Sequence, residues 1–249
     1  MEGKGAIIRP AGPRVVKRRV LLVAFGLCLV LAFSALGRWQ LGRALEKEAL
    51  LADTAGVLAG PAQPLAGALA GANGIRKVAG EGRFLDTPPL WLDNQRRGQR
   101  VGVRQYCAFQ PAGAAAPLLV DLGWLPLPGD RTLPDATCPR GDAALAGLLA
   151  PPPAVGLKLG GGLESRDGGQ RWLALHLEPA EVARAWQLPA LAPRVLRLDP
   201  ALPLGHERDL ELLSNTLPPE KHRGYALQWF GLAAAAFVTT LLLWFRRKQ

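Results

Sequence analysis

Two uncharged apolar runs constrain this chain more than any motif in it: Val20 to Gly37, 18 residues, and Tyr225 to Phe245, 21 residues. At about 1.5 Å of rise per residue they make helices of roughly 27 and 32 Å, close to the ~30 Å hydrocarbon core of a bilayer. Both read as transmembrane helices. The 187 residues between them must then lie on one side of the membrane.

Charge says which side. The formal net charge of +10 in a soluble chain would point to nucleic acid as a partner, but most of it sits at the two ends. Residues 1 to 19 carry six basic side chains against Glu2, and Arg246, Arg247 and Lys248 follow the second run. The segment from Arg38 to Gly224 is nearly neutral, with 21 basic and 19 acidic residues. The positive-inside bias therefore places both termini in the cytoplasm and the long segment across the membrane. Membrane lipid is an expected partner, and nucleic acid is not.

A cleavable signal peptide competes for the first run, which has a basic start and ends on the small residues of FSALG. Its apolar stretch is longer than a usual signal core, and it runs without a turn into Arg38, Trp39 and LGRALEKEALLAD, so an uncleaved anchor is expected. The first 19 residues lack the Ser-rich amphipathic character of a mitochondrial presequence, which favours a bacterial inner membrane. The expected organisation is a cytoplasmic basic tail over 1–19, a transmembrane helix over 20–37, a periplasmic domain over 38–224, a second transmembrane helix over 225–245 and a basic tail over 246–249.

Gly (29) and Pro (22) make up about a fifth of the chain, too little for a disordered low-complexity sequence. Within the exported segment, Trp39 to Asp53 continues the first helix, and Ala55 to Gly74 reads as irregular or a short helix between turns. Strand-like pieces come next at Ile75–Phe84, Pro89–Leu92, Val101–Phe109 and Pro117–Leu125, separated by turn signals such as DNQRRG and QPAG, which suggests an antiparallel meander. Leu127 to Pro139 is turn-rich, and Pro151 to Pro153 and Gly160 to Gly162 punctuate the stretch after it. Arg171–Leu177 alternates as a strand, Pro179–Leu188 reads as a short helix with Val182, Ala185 and Trp186 on one face, and Arg194–Leu198 as a last strand. The fold class expected is α+β: two transmembrane helices and a β-rich, antiparallel exported domain carrying short helices.

No catalytic assembly is legible. There is no GxSxG nucleophile elbow, and Gly160, Gly161 and Gly162 are not followed by the Lys-Ser or Lys-Thr of a phosphate loop. Acid pairs such as Asp93 with Asp121 occur in any domain of this size. Cys28 lies in the first apolar run, and Cys107 and Cys138 lie in the exported segment, where they can form one disulfide or none. Without a CxxC or a Cys/His cluster, no dedicated zinc or copper site is expected, and no enzyme activity either.

Of three histidines, His176 shares an alternating face with Trp172 and Ala174 and reads as a packed core or a surface strand position rather than a ligand, and His206 in GHERD reads as a solvated loop residue. His222 differs because it lies three residues before the second apolar run. Helical spacing puts Tyr225, Ala226 and Trp229 on its side, and Trp39 lies at the same interface. An interfacial aromatic belt accounts for Trp39, Tyr225 and Trp229 without any ligand. The same residues with Arg38, Arg43, Lys221 and Arg223 also supply an axial nitrogen, apolar faces and cations for propionates, the parts a haem site needs. The residues by themselves leave both readings open.

GRWQLGRALEKEALL, just after the first run, resembles the GxWQxxRxxxK signature of the Surfeit locus protein one (SURF-one) family, the cytochrome c oxidase assembly factors. GEGRF, LWLDNQRRGQRVGVRQYCAFQP and LLVDLGWLP resemble its successive middle blocks, and EKHRGYALQWFGLAAAA its closing block at the second span. One block departs from the pattern: Leu122 precedes Gly123 and Trp124 where the family usually has Arg.

The resemblance implies a role in assembling a haem-copper terminal oxidase, with haem a as the bound group, subunit I as recipient and haem A synthase upstream. It implies His222 as the haem-iron ligand, with Tyr225, Trp229, Trp39 and Arg43 around the haem. It also marks Gly37, Gln40, Lys47, Gly123 and Trp124 as motif positions. Two other classes compete: a tether that holds oxidase subunits without touching haem, and an envelope enzyme or sensor with an evident ligand cleft.

Overall fold

The computed structural model describes residues 13–71, 74–153, 162–210 and 216–245. The chain forms two compact units, one from residues up to Ala49 together with those from Leu217 onward, the other from Leu50 to Thr216. Helix α1 (Pro13–Ala59) belongs to both by sequence, and helix α4 (Pro219–Phe245) to the first.

In the first unit both helices are long and apolar enough to cross a membrane. Helix α1 runs unbroken for 47 residues, because past the apolar stretch its sequence is rich in Leu, Ala, Glu, Lys and Arg, all strong helix formers. Helix α4 starts on Pro219, whose missing N–H costs nothing in a first turn. Their outward side chains are apolar, among them Leu21, Phe25, Leu31, Leu227, Phe237 and Leu242. Between them, small residues permit close approach, as is common between helices in lipid. A Cβ on Gly37 would lie 2.8 Å from the Phe230 ring, and one on Gly26 would overlap Thr240. Phe33 stacks on Trp229 with centroids 5.7 Å apart.

In the second unit α1 continues to Ala59, beyond Asp53 and into the stretch expected to be irregular or a short helix between turns. Lys77 Nζ donates to the carbonyls of Leu58 at 2.9 Å and Gly60 at 3.1 Å, satisfying acceptors that a helix end leaves free. A two-residue strand β1 (Gln63–Pro64) and helix α2 (Leu65–Ala70) come next. The remaining strands are β2 (Arg76–Phe84), β3 (Leu90–Arg97), β4 (Arg100–Pro111), β5 (Leu118–Pro126), β6 (Gly141–Ala150), β7 (Leu163–Arg166), β8 (Arg171–Ala174) and β9 (Val195–Leu198). Helix α3 (Pro179–Ala185) precedes β9.

These strands form one sheet in the order β1-β2-β6-β9-β5-β4-β3-β8-β7. Strand β4 is long enough to share one edge, giving residues 100–106 to β3 and 109–111 to β2. The second pairing closes β2, β6, β9, β5 and β4 into a ring. At that closure a Cβ on Gly82 would lie 2.3 Å from the Gln110 carbonyl, so only glycine fits there.

The meander expected from the sequence is present as β3-β4-β5, but the antiparallel sheet is corrected to a mixed one. Strands β1 and β2, β3 and β8, and β5 and β9 pair in parallel. DNQRRG is also not a turn as a whole. Asp93 to Arg97 belong to β3, Asn94 takes up a left-handed φ of 56° at an irregularity in the ladder, and only Gly98 and Gln99 turn. Helix α3 ends at Ala185, short of Leu188. Strand β8 ends at Ala174, so His176 lies beyond it. Gly160 and Gly161 lie outside the described residues.

Alternate residues of β4 and β5 enter opposite cores, as the two-residue period of a strand requires. Cys107, Phe109, Leu118, Val120 and Leu122 pack with residues of β2, β6, β9 and α2. Tyr106 and Leu119 pack with β3, β8, β9 and α3.

Candidate functional site

The site begins with a division within the first-block motif. Gly37, Gln40, Ala44 and Lys47 recur at three- and four-residue steps and share the inward face of α1. Gly37, Ala44 and Lys47 are buried and Gln40 is half-buried. Trp39 and Arg43, four residues apart, lie on the other face and are exposed. The motif is thus two patterns interleaved on one helix.

The inward face meets α4. The ring of His222, 8 % exposed, has Nδ1 2.6 Å from Gln40 Oε1. A glutamine Oε1 only accepts, so the proton of this hydrogen bond belongs to Nδ1, and in the neutral ring the lone pair is then on Nε2. Lys47 Nζ donates to the Leu217 carbonyl just before α4, and Arg223 pairs with Glu48 at 2.7 Å. Three polar contacts and the stacked Phe33–Trp229 pair therefore fix the depth of His222 against α1.

The other residues expected at the site are distributed differently. Ala226, not Tyr225, accompanies His222 on the buried side. Tyr225 is 42 % exposed and Trp39 57 % exposed, Trp229 is half-buried against Phe33, and Arg43 donates to Glu46 at 2.5 Å. The structure joins His222 to Gln40 and Trp229 to Phe33, and leaves Trp39, Arg43 and Tyr225 as outward surface. Sequence reasoning misses the contacts of Gln40, Glu48 and Leu217 with α4 residues or Lys47. The only signal for Gln40 is its place in the motif.

Gly123 and Trp124 do separate work in the sheet. Gly123 has φ 112°, and a Cβ there would lie 2.8 Å from the His206 carbonyl. The Trp124 amide donates to the Glu207 carbonyl at 2.8 Å, its indole N–H donates to the Gln95 carbonyl at 2.9 Å, and Arg100 lies 4.8 Å above its ring. Leu122, at the family's usual arginine position, is 1 % exposed and belongs to the apolar core. In this chain that position is one for a hydrocarbon side chain.

A buried ionic cluster lies on the other face of β4 and β5. Arg104 donates to Asp121 at 2.8 Å, with both side chains almost wholly buried. The Tyr106 hydroxyl donates to the same carboxylate at 3.4 Å, the Gly123 amide at 3.0 Å, and Arg197 stands 3.8 Å away. Burial, reinforced by the Asp121 charge, pushes the Tyr106 phenol far above its ordinary value. His206 is not simply solvated. Its Nε2 lies 2.7 Å from Gln105 Oε1, and burial, then the charge of Arg208, hold its pKa below the usual imidazole value. His176 Nε2 lies 3.8 Å from Glu181. Cys107 and Cys138 form a disulfide, while Cys28 is free and exposed.

Surface clefts open on the sheet unit among the described residues. One, of about 540 Å³, is lined by Asp86, Thr87, Cys138, Arg140 and Gln170, among others. The second, of about 410 Å³, contains Arg131, Arg166 and Arg171, each paired with a carboxylate.

The profile of the SURF1 family matches residues 27–234, from within α1, across every described strand, into α4. The chain belongs to the SURF1 family. This family is linked to cytochrome c oxidase assembly, and its members are assembly factors rather than known enzymes. Comparison with curated proteins returns no match. The SURF1 match contains both ends of the Gln40–His222 contact, so the helix pair and the sheet fall within one family unit.

Proposed function

We propose that this SURF1-family protein receives haem a in the membrane and passes it to subunit I of a haem-copper oxidase, with His222 as the iron ligand. The observation that carries this reading is the state of His222, a buried imidazole whose Nδ1 is held by Gln40 and whose Nε2 forms no hydrogen bond among the described residues. A neutral imidazole nitrogen with its partner nitrogen hydrogen-bonded is the ordinary form of a protein ligand to haem iron.

Haem a is cargo here and brings an apolar macrocycle with two propionates. Tyr225 on α4 and Trp39 on the outward face of α1 are exposed aromatic surface for its faces, Trp229 is half-buried on α4 against Phe33, and Lys221, with Arg43 released from its pair with Glu46, supplies cations for its carboxylates. Held at the membrane interface, it would reach subunit I without crossing water. Haem A synthase is the upstream partner in this scheme. The basic flanks support cytoplasmic termini, a periplasmic sheet unit and a bacterial inner membrane as the location.

The test is the visible spectrum of the protein purified from cells that make haem a. His222→Ala should abolish or markedly shift the haem spectrum, while His176→Ala and His206→Ala leave it nearly intact. An unchanged spectrum and affinity in His222→Ala would remove His222 as a ligand and leave a haem-independent tether as the better account.

A further inference from the structure

We propose that Gln40 is the positioning residue for His222, fixing the imidazole in its Nδ1–H tautomer so that Nε2 carries the lone pair offered to the iron. This rests on the reading of His222 as the haem ligand and adds a second residue and a protonation state to it. Gln40 and His222 are separated by 182 positions in the chain and meet at 2.6 Å. Gln40 stands on the same helical face as Gly37, Ala44 and Lys47, so its side chain is delivered to α4 by the helix itself.

A bond that merely glued two helices together would serve equally well with either ring nitrogen. The helix pair already has Lys47 on the Leu217 carbonyl, Glu48 on Arg223, Phe33 on Trp229 and the close approaches at Gly26 and Gly37. What Gln40 adds is ring orientation and tautomer. A ligating histidine generally depends on such a partner at its other nitrogen, which sets both the tautomer and the basicity of the ligand.

Two Gln40 variants read this separately from folding. Gln40→Leu removes the acceptor and should weaken haem a affinity about tenfold or more, with protein level in the membrane unchanged. Gln40→Glu keeps an acceptor and replaces it with a charged one, which makes the imidazole a more electron-rich ligand. It should retain the His222-dependent spectrum and lower the haem midpoint potential. A contact that only packs the helices would change affinity or yield without moving the potential in that direction.

The proposal is overturned if Gln40→Leu, purified at full length, matches the parent protein in haem a affinity. It is also overturned if Gln40→Glu holds haem at an unchanged potential, a result that stands even where Gln40→Leu fails to accumulate. His222→Ala separates ligation from positioning. Loss of the spectrum in that variant with no effect at Gln40 sinks the positioning role alone, and an unchanged spectrum sinks both.

Discussion

Asp121 is held by Arg104, Tyr106 and the Gly123 amide in a place almost closed to water, and Arg104 depends on its charge. Removing one partner of a buried ion pair is costlier than the pair is worth, because the other charge stays buried. Asp121→Asn should therefore lower unfolding stability by about 3–5 kcal/mol, read as a shifted denaturation midpoint of the purified protein. A midpoint equal to that of the parent would show that Arg104 finds adequate compensation in Asp209, 3.8 Å away. None of this is visible in the sequence, where Asp121 is only half of an ordinary acid pair. Side-chain partners 17 positions apart become neighbours only after β4 and β5 are in register. The site is legible to a similar degree. The place of His222 just before the second apolar run can be read from the sequence, while its contact with Gln40 requires the docking of two helices far apart in the chain.

Elements declare themselves in the sequence where local chemistry and final environment agree. The apolar runs, the continuation of α1 through charged helix formers and the meander strands are of this kind. Strand β6 is the contrary case: GDAALAGLLA is an Ala- and Leu-rich stretch with no β-branched residue, so propensity does not mark it. It is a strand because β2 and β9 both hydrogen-bond to it. Parallel pairings such as β5 with β9 are likewise set by distant segments and leave no local trace. The loop from Leu127 to Arg140 is tied to β4 through the Cys107–Cys138 disulfide and through Gln105, which donates to the Thr137 carbonyl at 3.1 Å. Opening a bond that closes a loop of this size should cost about 2–4 kcal/mol. Thermal unfolding with and without a dithiol reductant measures it. Full reduction, verified by thiol labelling, with no change in midpoint would show that the loop is held by its other contacts.

For the whole molecule, the first question is which side of the membrane the sheet unit occupies. The six basic residues before the first apolar run and the three after the second predict that a reporter active only in the periplasm works when inserted at Gly160 and fails when fused after Gln249. The opposite pattern would reverse the placement of His222 and, with it, the side of the membrane assigned to the proposed haem site. The closed ring also bears on synthesis. Strand β9 sits between β5 and β6, although among the described strands it is the last to be made. Until residues 195–198 emerge, the nascent chain presents two unsatisfied strand edges that no earlier segment covers. At the usual ~5–20 residues per second of elongation, the stretch from Ala150 to Leu198 takes about 2–10 s. For that interval the half-built ring carries open edges that can pair with another chain, which makes it a natural client of any chaperone waiting where it emerges.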